Sequence, residues 1–405
     1  MHVLFVERHG LEETEVPTDL DQTGADLVVL SFSDSDLGAF AEGWKRGNSL
    51  QGDDFPTLRL ANLSALKHPV SVDTYVEKTL SQAKGILIRL IGGVPYWSYG
   101  LQEVVKLAKQ NKIACAVLPA DGREDPQLDE YSTLPSSTLR RLKELCDTGG
   151  EIAAHAALAQ LALAAGLYAA PVHGTKTLET FGAWSPEQNV CSPSDIAKAI
   201  NPDKPLIILT FYRAFITAAD LKPIKAIFDA LRIRGFEVLG LFSPSLKIPD
   251  AAEWIISQIK QFKPVCIVNA TSFSGRGASG ESPLDIGDVP VFQVALSTSN
   301  RAAWREADRG LSPADMAMHV VLPEVDGRIF AGVASFKEPG IQDKDLEFLR
   351  IEHQPDKERI LAITDKVCRW YKLQTKPLEA QKAALILSTY PGRPWQMAHA
   401  VGLDV

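Results

Sequence analysis

Three apolar runs in the middle of the chain are each followed by side chains suited to binding an anion. Those side chains are Arg213, Lys247, Asn269, Thr271 and Ser272. An arginine grips a carboxylate with two parallel hydrogen bonds, and hydroxyls share the remaining lone pairs. This composition predicts a site for an anionic or carboxylate-rich ligand. The alternative is that these are ordinary polar loops, since loops carry polar residues in all proteins.

The elements that must position these side chains are the runs themselves, at residues 206–212, 236–242 and 265–269. The two segments between them have helical periodicity. Short apolar runs flanked by Pro and Gly are typical of buried parallel strands joined by helical crossovers. The stretch is therefore predicted to be a βαβαβ unit, in which all strands end at one edge of the sheet, where ligands bind.

A second candidate segment, at residues 89–100, combines a cation, paired glycines and aromatic rings. Its candidate substrate-binding residues are Arg89, Tyr96 and Trp97, with Gly92 and Gly93 between them. Glycines let a ligand approach the backbone, and aromatic rings stack on a flat ligand. The alternative is a tight strand-to-helix turn whose aromatic side chains pack on the sheet.

Two further segments contain chemistry-bearing residues. Residues 322–328 place Glu324 and Asp326 beside Arg328, and they either orient a ligand or hold a turn through hydrogen bonds from the backbone to Asp. Residues 275–280 have G-x-G-x-x-G spacing, but Pro283 and Pro290 follow, so no helix of useful length starts there. That string predicts a loop and not a nucleotide site.

The pattern along the whole chain predicts an α/β fold with two or more Rossmann-like or flavodoxin-like parallel-sheet domains and a helical connector. Residues 1–132 are predicted to be a doubly wound domain. Its predicted strands cover residues 3–6, 25–32, 57–62, 85–91 and 112–118, and its predicted helices cover 34–46, 71–83 and 97–110. Ser71 and Ser98 are the predicted N-caps of the second and third helices.

The remaining domains are predicted from changes in the same pattern. Residues 133–200 are expected to be a helical segment and a linker, and residues 201–340 a central α/β domain. Residues 341–405 are expected to contain a helix at 356–371 and a strand at 382–390 that open a further α/β unit. A strand with no successor suggests that this unit is truncated.

Composition excludes some classes of protein. The net charge of −8 argues against nucleic acid or an anionic membrane as the main partner. The five cysteines show no metal-ligand spacing, which favours reduced thiols in the cytoplasm. No apolar run is long enough to span a membrane. The sequence contains no phosphate loop, H-E-x-x-H motif or nucleophile elbow.

Seven segments resemble, in the same order, the large subunit of the aerobic, ATP-dependent cobaltochelatases (CobN type). They are residues 58–63, 68–73, 89–100, 211–213, 269–271, 322–328 and 400–404. The large (H-type) subunits of magnesium chelatases are relatives of this family and share an element similar to residues 322–328. Members of the family are much longer than this chain, so the resemblance implies its N-terminal portion.

The resemblance implies a function for the complex of which such a subunit is part. The subunit binds a tetrapyrrole, hydrogenobyrinic acid a,c-diamide, and Co²⁺ is inserted into it during cobalamin synthesis. AAA+ ATPase and adaptor subunits hydrolyse ATP with Mg²⁺, while this chain is expected to bind no cofactor and to be inactive alone. Metal insertion removes two pyrrolic protons, and Glu324 and Asp326 are the close pair of carboxylates to test for that step.

Other functions stay open on sequence alone. One is a non-catalytic docking module for the AAA+ partners, and another is a magnesium chelatase H-like subunit that acts on protoporphyrin IX. A third, independent of the resemblance, is a two-domain transferase or sugar binder with its ligand between α/β domains.

Overall fold

Two sheets organise the chain in a computed structural model, which describes residues 17–120, 124–174, 176–277 and 280–384. The first sheet has four strands, β1 (Leu27–Ser31), β2 (Leu58–Asn62), β3 (Gly85–Leu90) and β4 (Ala114–Pro119). All are parallel, in the order β2-β1-β3-β4. This is the flavodoxin-like order, whose topological switch point lies between β1 and β3.

Helices cover both faces of the first sheet. They are α1 (Asp34–Gln51), α2 (Pro69–Lys78), α3 (Ser98–Asn111), α4 (Ser136–Thr148) and α5 (Gly150–Ala164). Leu27 and Val29 of β1 pack against α1, α4 and α5, whereas Val28 and Leu30 pack against α2 and α3. Alternate residues of each strand thus enter different cores, which explains the continuous apolar runs.

The predicted N-caps in this domain were wrong. α2 begins earlier than predicted, because Pro69 starts it and the His68 side chain accepts from the Val70 amide. Ser71 instead accepts a hydrogen bond from the Thr18 amide, at 2.7 Å. Ser98 is the first residue of α3, which has no side-chain cap.

The second sheet has eight strands in the order β12-β11-β10-β9-β7-β8-β5-β6. Its strands are β5 (Gly182–Ser185), β6 (Asn189–Cys191), β7 (Leu206–Tyr212), β8 (Glu237–Ser243), β9 (Cys266–Asn269), β10 (Val291–Leu296), β11 (Ile329–Pro339) and β12 (Ile351–Pro355). The five strands from β7 to β11 are parallel, and β5, β6 and β12 are antiparallel additions at the edges. The predicted βαβαβ unit, β7 to β9, is confirmed at the centre of this sheet.

The helices of the second domain pack on both faces of its sheet. They are α6 (Pro193–Ala199), α7 (Arg213–Thr217), α8 (Lys222–Ile233), α9 (Pro249–Phe262), α10 (Arg301–Glu306), α11 (Pro313–Met316), α12 (Leu322–Val325) and α13 (Lys357–Thr375). α8 and α13 cover one face and α9 covers the other. A π-helical turn, Ala317–Val321, joins α11 to α12.

Two stretches differ from their sequence-based description. The expected linker before residue 200 also supplies the edge hairpin β5–β6 and the helix α6. We expected residues from 341 on to open a further unit, but β12 pairs with β11, and α13 buries Ile360, Ile363 and Val367 in the second core. The predicted strand at residues 3–6, and that at 382–390 from residue 385 on, lie outside the described residues.

A segment that we call the strap, residues 340–350 between β11 and β12, returns to the first domain. Leu346 is buried in the first core, and the Glu347 carboxylate accepts from Arg59 Nη2 at 2.8 Å. Arg350 donates to Glu42 at 3.1 Å and to the Ala218 carbonyl at 2.9 Å. The strap therefore ties the two domains together. Among the described helices, none has the length and apolar character needed to cross a membrane.

Candidate functional site

A cleft of about 380 Å³ lies between the carboxyl edges of the two sheets. The first domain lines it with the loop after β1, the start of α1 and residues at the ends of β3 and β4. The second domain lines it with residues after β7 and β8, and with Lys337 near the end of β11. β1 and β3 flank a topological switch point, where ligands of open α/β sheets bind. We refer to this candidate site as the interdomain cleft.

The first-domain wall of the interdomain cleft is acidic. Arg89 is 3% exposed, and it donates from Nε to Asp36 at 3.2 Å and from Nη1 to Asp147 at 3.1 Å. Burial lowers the pKa of the Arg89 guanidinium, but the carboxylates beside it, led by Asp36, raise that pKa above its ordinary value. The charge of Arg89 is thus neutralised within the wall. Asp34 adds another carboxylate, which accepts from the Asn62 amide at 2.7 Å.

The second-domain wall is basic. Arg213 starts α7 directly after β7, and its Nε and Nη2 donate to the Glu179 and Leu178 carbonyls, both at 3.0 Å. These bonds hold the guanidinium in place, and burial lowers its pKa. Within the described part of the chain, neither Arg213 nor Lys337 forms an ion pair with a carboxylate, and both line the interdomain cleft.

The opposite charges of the two walls indicate which chemical groups the interdomain cleft could accept. Neither cation of the second-domain wall forms an ion pair with a described carboxylate, and the charge of Lys337 opposes the rise that burial gives the pKa of Asp220. The second-domain wall is therefore suited to a carboxylate of a ligand. The acidic wall opposite favours groups that donate hydrogen bonds. At about 380 Å³ the cleft is near the lower end of the usual range for ligand sites, so it has room for only part of a large ligand.

The structure brings two of the predicted substrate-binding residues, Arg89 and Arg213, into the interdomain cleft from different domains. Asn269 and Thr271, in contrast, are fully buried below it. The Asn269 Oδ1 accepts from Thr210 Oγ1 at 2.6 Å and from Thr271 Oγ1 at 2.9 Å, and its Nδ2 donates to Gln293 at 2.7 Å. Their polar atoms are therefore engaged with the protein itself.

Ser272 lies next to the cleft wall. Its amide donates to the Tyr212 hydroxyl at 3.0 Å, and that hydroxyl donates to the Ser272 carbonyl at 2.7 Å. Tyr212 lines the interdomain cleft. Ser272 is thus connected to the site through the backbone, while its own hydroxyl lies 3.4 Å from Nδ1 of His319.

Three predicted substrate-binding residues lie away from the residues that line the cleft. Lys247 is exposed on the loop before α9. Tyr96 is 67% exposed, and Trp97 is buried in the first core, where its Nε1 donates to the Leu66 carbonyl at 2.7 Å. Trp97 therefore has the position that the alternative interpretation gave it, packed on the sheet.

The two candidate catalytic carboxylates have different surroundings. Glu324 is exposed on α12, whereas the Asp326 side chain is fully buried. Asp326 accepts from Ser274 Oγ and the Gly275 amide, both at 2.6 Å, and from Arg328 Nη2 at 2.9 Å. Neither carboxylate lines the interdomain cleft. A role for this pair in proton abstraction stays a prediction.

Sequence reasoning missed the cleft residues Lys337, Asp34 and Asp36. Their positions could have identified them, because Asp34 and Asp36 lie just after β1 and Lys337 lies near the end of β11. The rule applied to the central runs, that strand ends collect ligand-binding groups, applies to these strands as well. Within the described residues, no group of three or more His, Cys, Asp or Glu side chains is arranged to hold a metal ion.

Comparison with known proteins shows a relationship along the whole chain. The family model CobN/Magnesium Chelatase matches residues 139–405. The aerobic cobaltochelatase subunits CobN of Sinorhizobium sp and Pseudomonas aeruginosa are each 32% identical to this chain, over 100% of it and 32% of their own length. The chain therefore spans about a third of these curated relatives.

Two further comparisons extend the relationship. The H-type magnesium-chelatase protein of Rhodobacter capsulatus is 27% identical over 55% of this chain and 20% of its own length. The solved structure of the catalytic subunit of cobaltochelatase from Mycobacterium tuberculosis superposes with a TM-score of 0.67 at 24% identity, over 90% of this chain and 29% of that chain. At this identity the superposition supports the fold.

Proposed function

Because this chain belongs to the CobN/magnesium chelatase family, we propose that it is a tetrapyrrole-binding part of a cobaltochelatase large subunit. The reaction proposed for the complex is insertion of Co²⁺ into hydrogenobyrinic acid a,c-diamide during cobalamin synthesis. Partner subunits of the AAA+ type and an adaptor supply ATP hydrolysis. The relatives are named as subunits, which supports a function in a multi-subunit enzyme.

The observation that carries the proposal is the basic wall of the interdomain cleft. The proposed substrate is a macrocycle decorated with carboxylates, and Arg213 and Lys337 line the cleft without an ion pair to a described carboxylate. The cleft has room for one edge of such a ligand. The macrocycle therefore extends partly outside the cleft.

We propose cobalt and not magnesium as the inserted ion, because the cobaltochelatase relatives match more of this chain than the magnesium chelatase relative does. Identity to the two CobN subunits extends over 100% of this chain, whereas identity to the magnesium chelatase relative covers 55% of it. We therefore propose hydrogenobyrinic acid a,c-diamide and not protoporphyrin IX as the substrate.

The proposal is tested by titrating the protein with hydrogenobyrinic acid a,c-diamide and following its absorbance. Wild type is expected to bind saturably. Arg213→Ala and Lys337→Ala are each expected to weaken binding by about tenfold or more, because each removes a charged hydrogen-bond donor. Lys247→Ala is the matched control, since it removes an exposed lysine outside the cleft and is expected to leave binding within about twofold.

The same titration distinguishes the competing functions. Equal or tighter binding of protoporphyrin IX would favour a magnesium chelatase-like subunit. Absence of tetrapyrrole binding, together with capture of the AAA+ partners, would support the docking module and overturn the proposal. Weakening by Lys247→Ala, with no effect of Arg213→Ala or Lys337→Ala, would move the site out of the interdomain cleft to the loop before α9.

A further inference from the structure

A Ser–His–Asp arrangement, with Ser272 half-buried and His319 and Asp315 buried, lies behind the residues that line the interdomain cleft. In the second sheet β9 and β10 stand between β7 and β11. Tyr212, at the end of β7, and Lys337, near the end of β11, both line the cleft. The carboxyl ends of β9 and β10 therefore lie beneath it, between these two residues. We refer to this region as the cleft floor.

Ser272, His319 and Asp315 form a connected row at the cleft floor. Nδ1 of His319 lies 3.4 Å from the Ser272 hydroxyl, and Nε2 lies 3.9 Å from Oδ1 of Asp315. His319 is 4% exposed and Asp315 is fully buried. The imidazole thus has a hydroxyl at one nitrogen and a carboxylate near the other, which favours the tautomer with its proton on Nε2.

The carboxylate of this row is held by the end of β10. Asp315 accepts from Ser297 Oγ at 2.9 Å, and from the amide and Oγ1 of Thr298, both at 3.0 Å. Such bonds fix the direction of the carboxylate. Asp315 is therefore held in a fixed position beside His319.

The backbone around the row is irregular at two places. His319 lies in the π-helical turn Ala317–Val321, a conformation found frequently at functional sites. Phe273, directly after Ser272, has a φ of 65°, which is rare for a bulky aromatic residue, and its amide donates to the Met318 carbonyl at 2.7 Å. Such strain persists where the surrounding structure holds it, commonly at active sites.

From this geometry we propose that Ser272, His319 and Asp315 form a proton-transfer site that removes the pyrrolic protons of a tetrapyrrole bound in the interdomain cleft. The proposal rests on the proposed function. The Ser272 hydroxyl gives its proton to Nδ1 of His319 as it takes one from the ligand nitrogen. Asp315 stabilises the imidazolium, which then releases the proton to water.

The same route operates once for each pyrrolic proton. Insertion of one divalent cation replaces two N–H protons. After two proton transfers along this route, the ligand holds the metal and both protons are in solvent. Ser272 and His319 end in their starting protonation states. His319 is the proton acceptor, and Asp315 is a positioning residue that acts through it.

The charged neighbours are consistent with this role. Burial lowers the pKa of His319 below its usual range, and the nearby Asp315 carboxylate raises it by a smaller amount, so the imidazole is neutral and able to accept a proton at pH 7. Other titratable groups near the row include His353 on β12, Tyr212, which bonds to Ser272, and Arg328, which donates to the Phe273 carbonyl at 3.2 Å. Lys337 adds a positive charge near His353.

The test uses the assembled enzyme with its AAA+ partners, hydrogenobyrinic acid a,c-diamide and Co²⁺. His319→Gln is expected to keep tetrapyrrole affinity within about twofold and to lower the insertion rate about 100-fold, the usual size of a general-base contribution. His155→Gln is the matched control, because it removes a histidine that is 1% exposed in the first domain. That control is expected to keep the wild-type rate.

The pH profile separates proton transfer from a structural role. The wild-type insertion rate is expected to fall at low pH as His319 becomes protonated, and His319→Gln is expected to lose that dependence. Ser272→Ala is expected to lower the rate while keeping the dependence, which provides a second variant should His319→Gln fail to fold. An insertion rate within threefold of wild type in both variants, with binding intact, would overturn this inference alone. Absence of tetrapyrrole binding by the wild type would instead overturn the proposed function.

Discussion

Asp326 and Glu324 show how two carboxylates of one short segment acquire different roles. The Asp326 side chain is fully buried and bonds to Ser274, Gly275 and Arg328. A Cβ at Gly275 would lie 2.6 Å from Arg328 Nη2, so a glycine is needed for this close approach. Asp326 therefore fixes the loop that follows β9, whereas Glu324 is exposed to solvent.

Asp326→Ala is expected to lower the free energy of unfolding by about 3 to 5 kcal/mol, because it leaves the buried Arg328 without its charged partner. Glu324→Ala is the matched control and is expected to change that free energy by less than about 0.5 kcal/mol. Urea denaturation measures both values. A loss below about 1 kcal/mol for Asp326→Ala would show that the network does not hold the loop.

His353 makes stability depend on pH. It is 3% exposed, and burial, with smaller contributions from Lys337 and His319, lowers its pKa to about 3. The folded pKa lies below the unfolded value of about 6.5, so the unfolded chain takes up the proton first as pH falls. Stability that is present above pH 6.5 is therefore lost progressively as pH falls towards 3.

We expect unfolding free energies measured between pH 7 and pH 4 to fall less steeply in His353→Gln than in wild type. Each pKa unit of depression corresponds to roughly 1.4 kcal/mol. The control is His173→Gln, which removes an exposed histidine and should leave the slope unchanged. Identical slopes in all three proteins would show that His353 is not the source of the acid sensitivity.

At the scale of elements, the ends of β7, β9 and β10 are joined by buried side chains. Thr210 of β7 donates to Asn269 of β9, and Asn269 donates to Gln293 of β10, which also accepts from Arg328 at 3.2 Å. Polar residues at strand ends therefore serve two purposes here. Some line the interdomain cleft, and others hold the strands in register beneath it.

Asn269→Ala is expected to destabilise the protein by about 2 to 5 kcal/mol, because buried groups of Thr210 and Gln293 lose their partners at about 1 to 3 kcal/mol each. Asn111→Ala, at an exposed position on α3, is the control and should be nearly neutral. Chemical denaturation gives the comparison. If Asn269→Ala weakened tetrapyrrole binding without destabilising the fold, Asn269 would be a ligand-binding residue after all.

At the scale of the whole molecule, the strap adds to the direct contacts of α7 with α1 and α5 in holding the two walls of the cleft face to face. Arg350 reaches between α1 and the end of α7, and its path requires a glycine, since a Cβ at Gly38 would lie 2.8 Å from its Nε. Glu347 pairs with Arg59 at a sequence separation of 288. These contacts join domains that the main chain alone would leave free to move.

Arg350→Ala is expected to uncouple the domains, since each lost charged hydrogen bond contributes about 1.5 to 3 kcal/mol. Differential scanning calorimetry should then show a broadened or split transition where wild type shows one. Lys344→Ala, an exposed position of the same strap, is the control and should unfold like wild type. A single sharp transition for Arg350→Ala would mean that other contacts carry the coupling.

The sequence alone determined the strands from β1 to β4 and from β7 to β9, because burial on both faces requires continuous apolar residues and this pattern is local. It also located Arg213 at a strand end. β12 was not predicted from the sequence. Most of its residues, Ile-Glu-His-Gln-Pro, are polar, and its burial comes from pairing with β11. An edge strand of this composition has no local signal.

Only the tertiary structure decided which strand-end residues face a ligand and which are used internally. Arg89 and Arg213 line one cleft because contacts between the domains, including those of the strap, bring the two walls together, while Asn269, Thr271 and Asp326 are buried in side-chain networks. Both outcomes depend on contacts between residues far apart in sequence, as between Thr210 and Asn269, 59 positions apart. Residue type specifies what a side chain can bind, but packing between distant elements specifies what it meets.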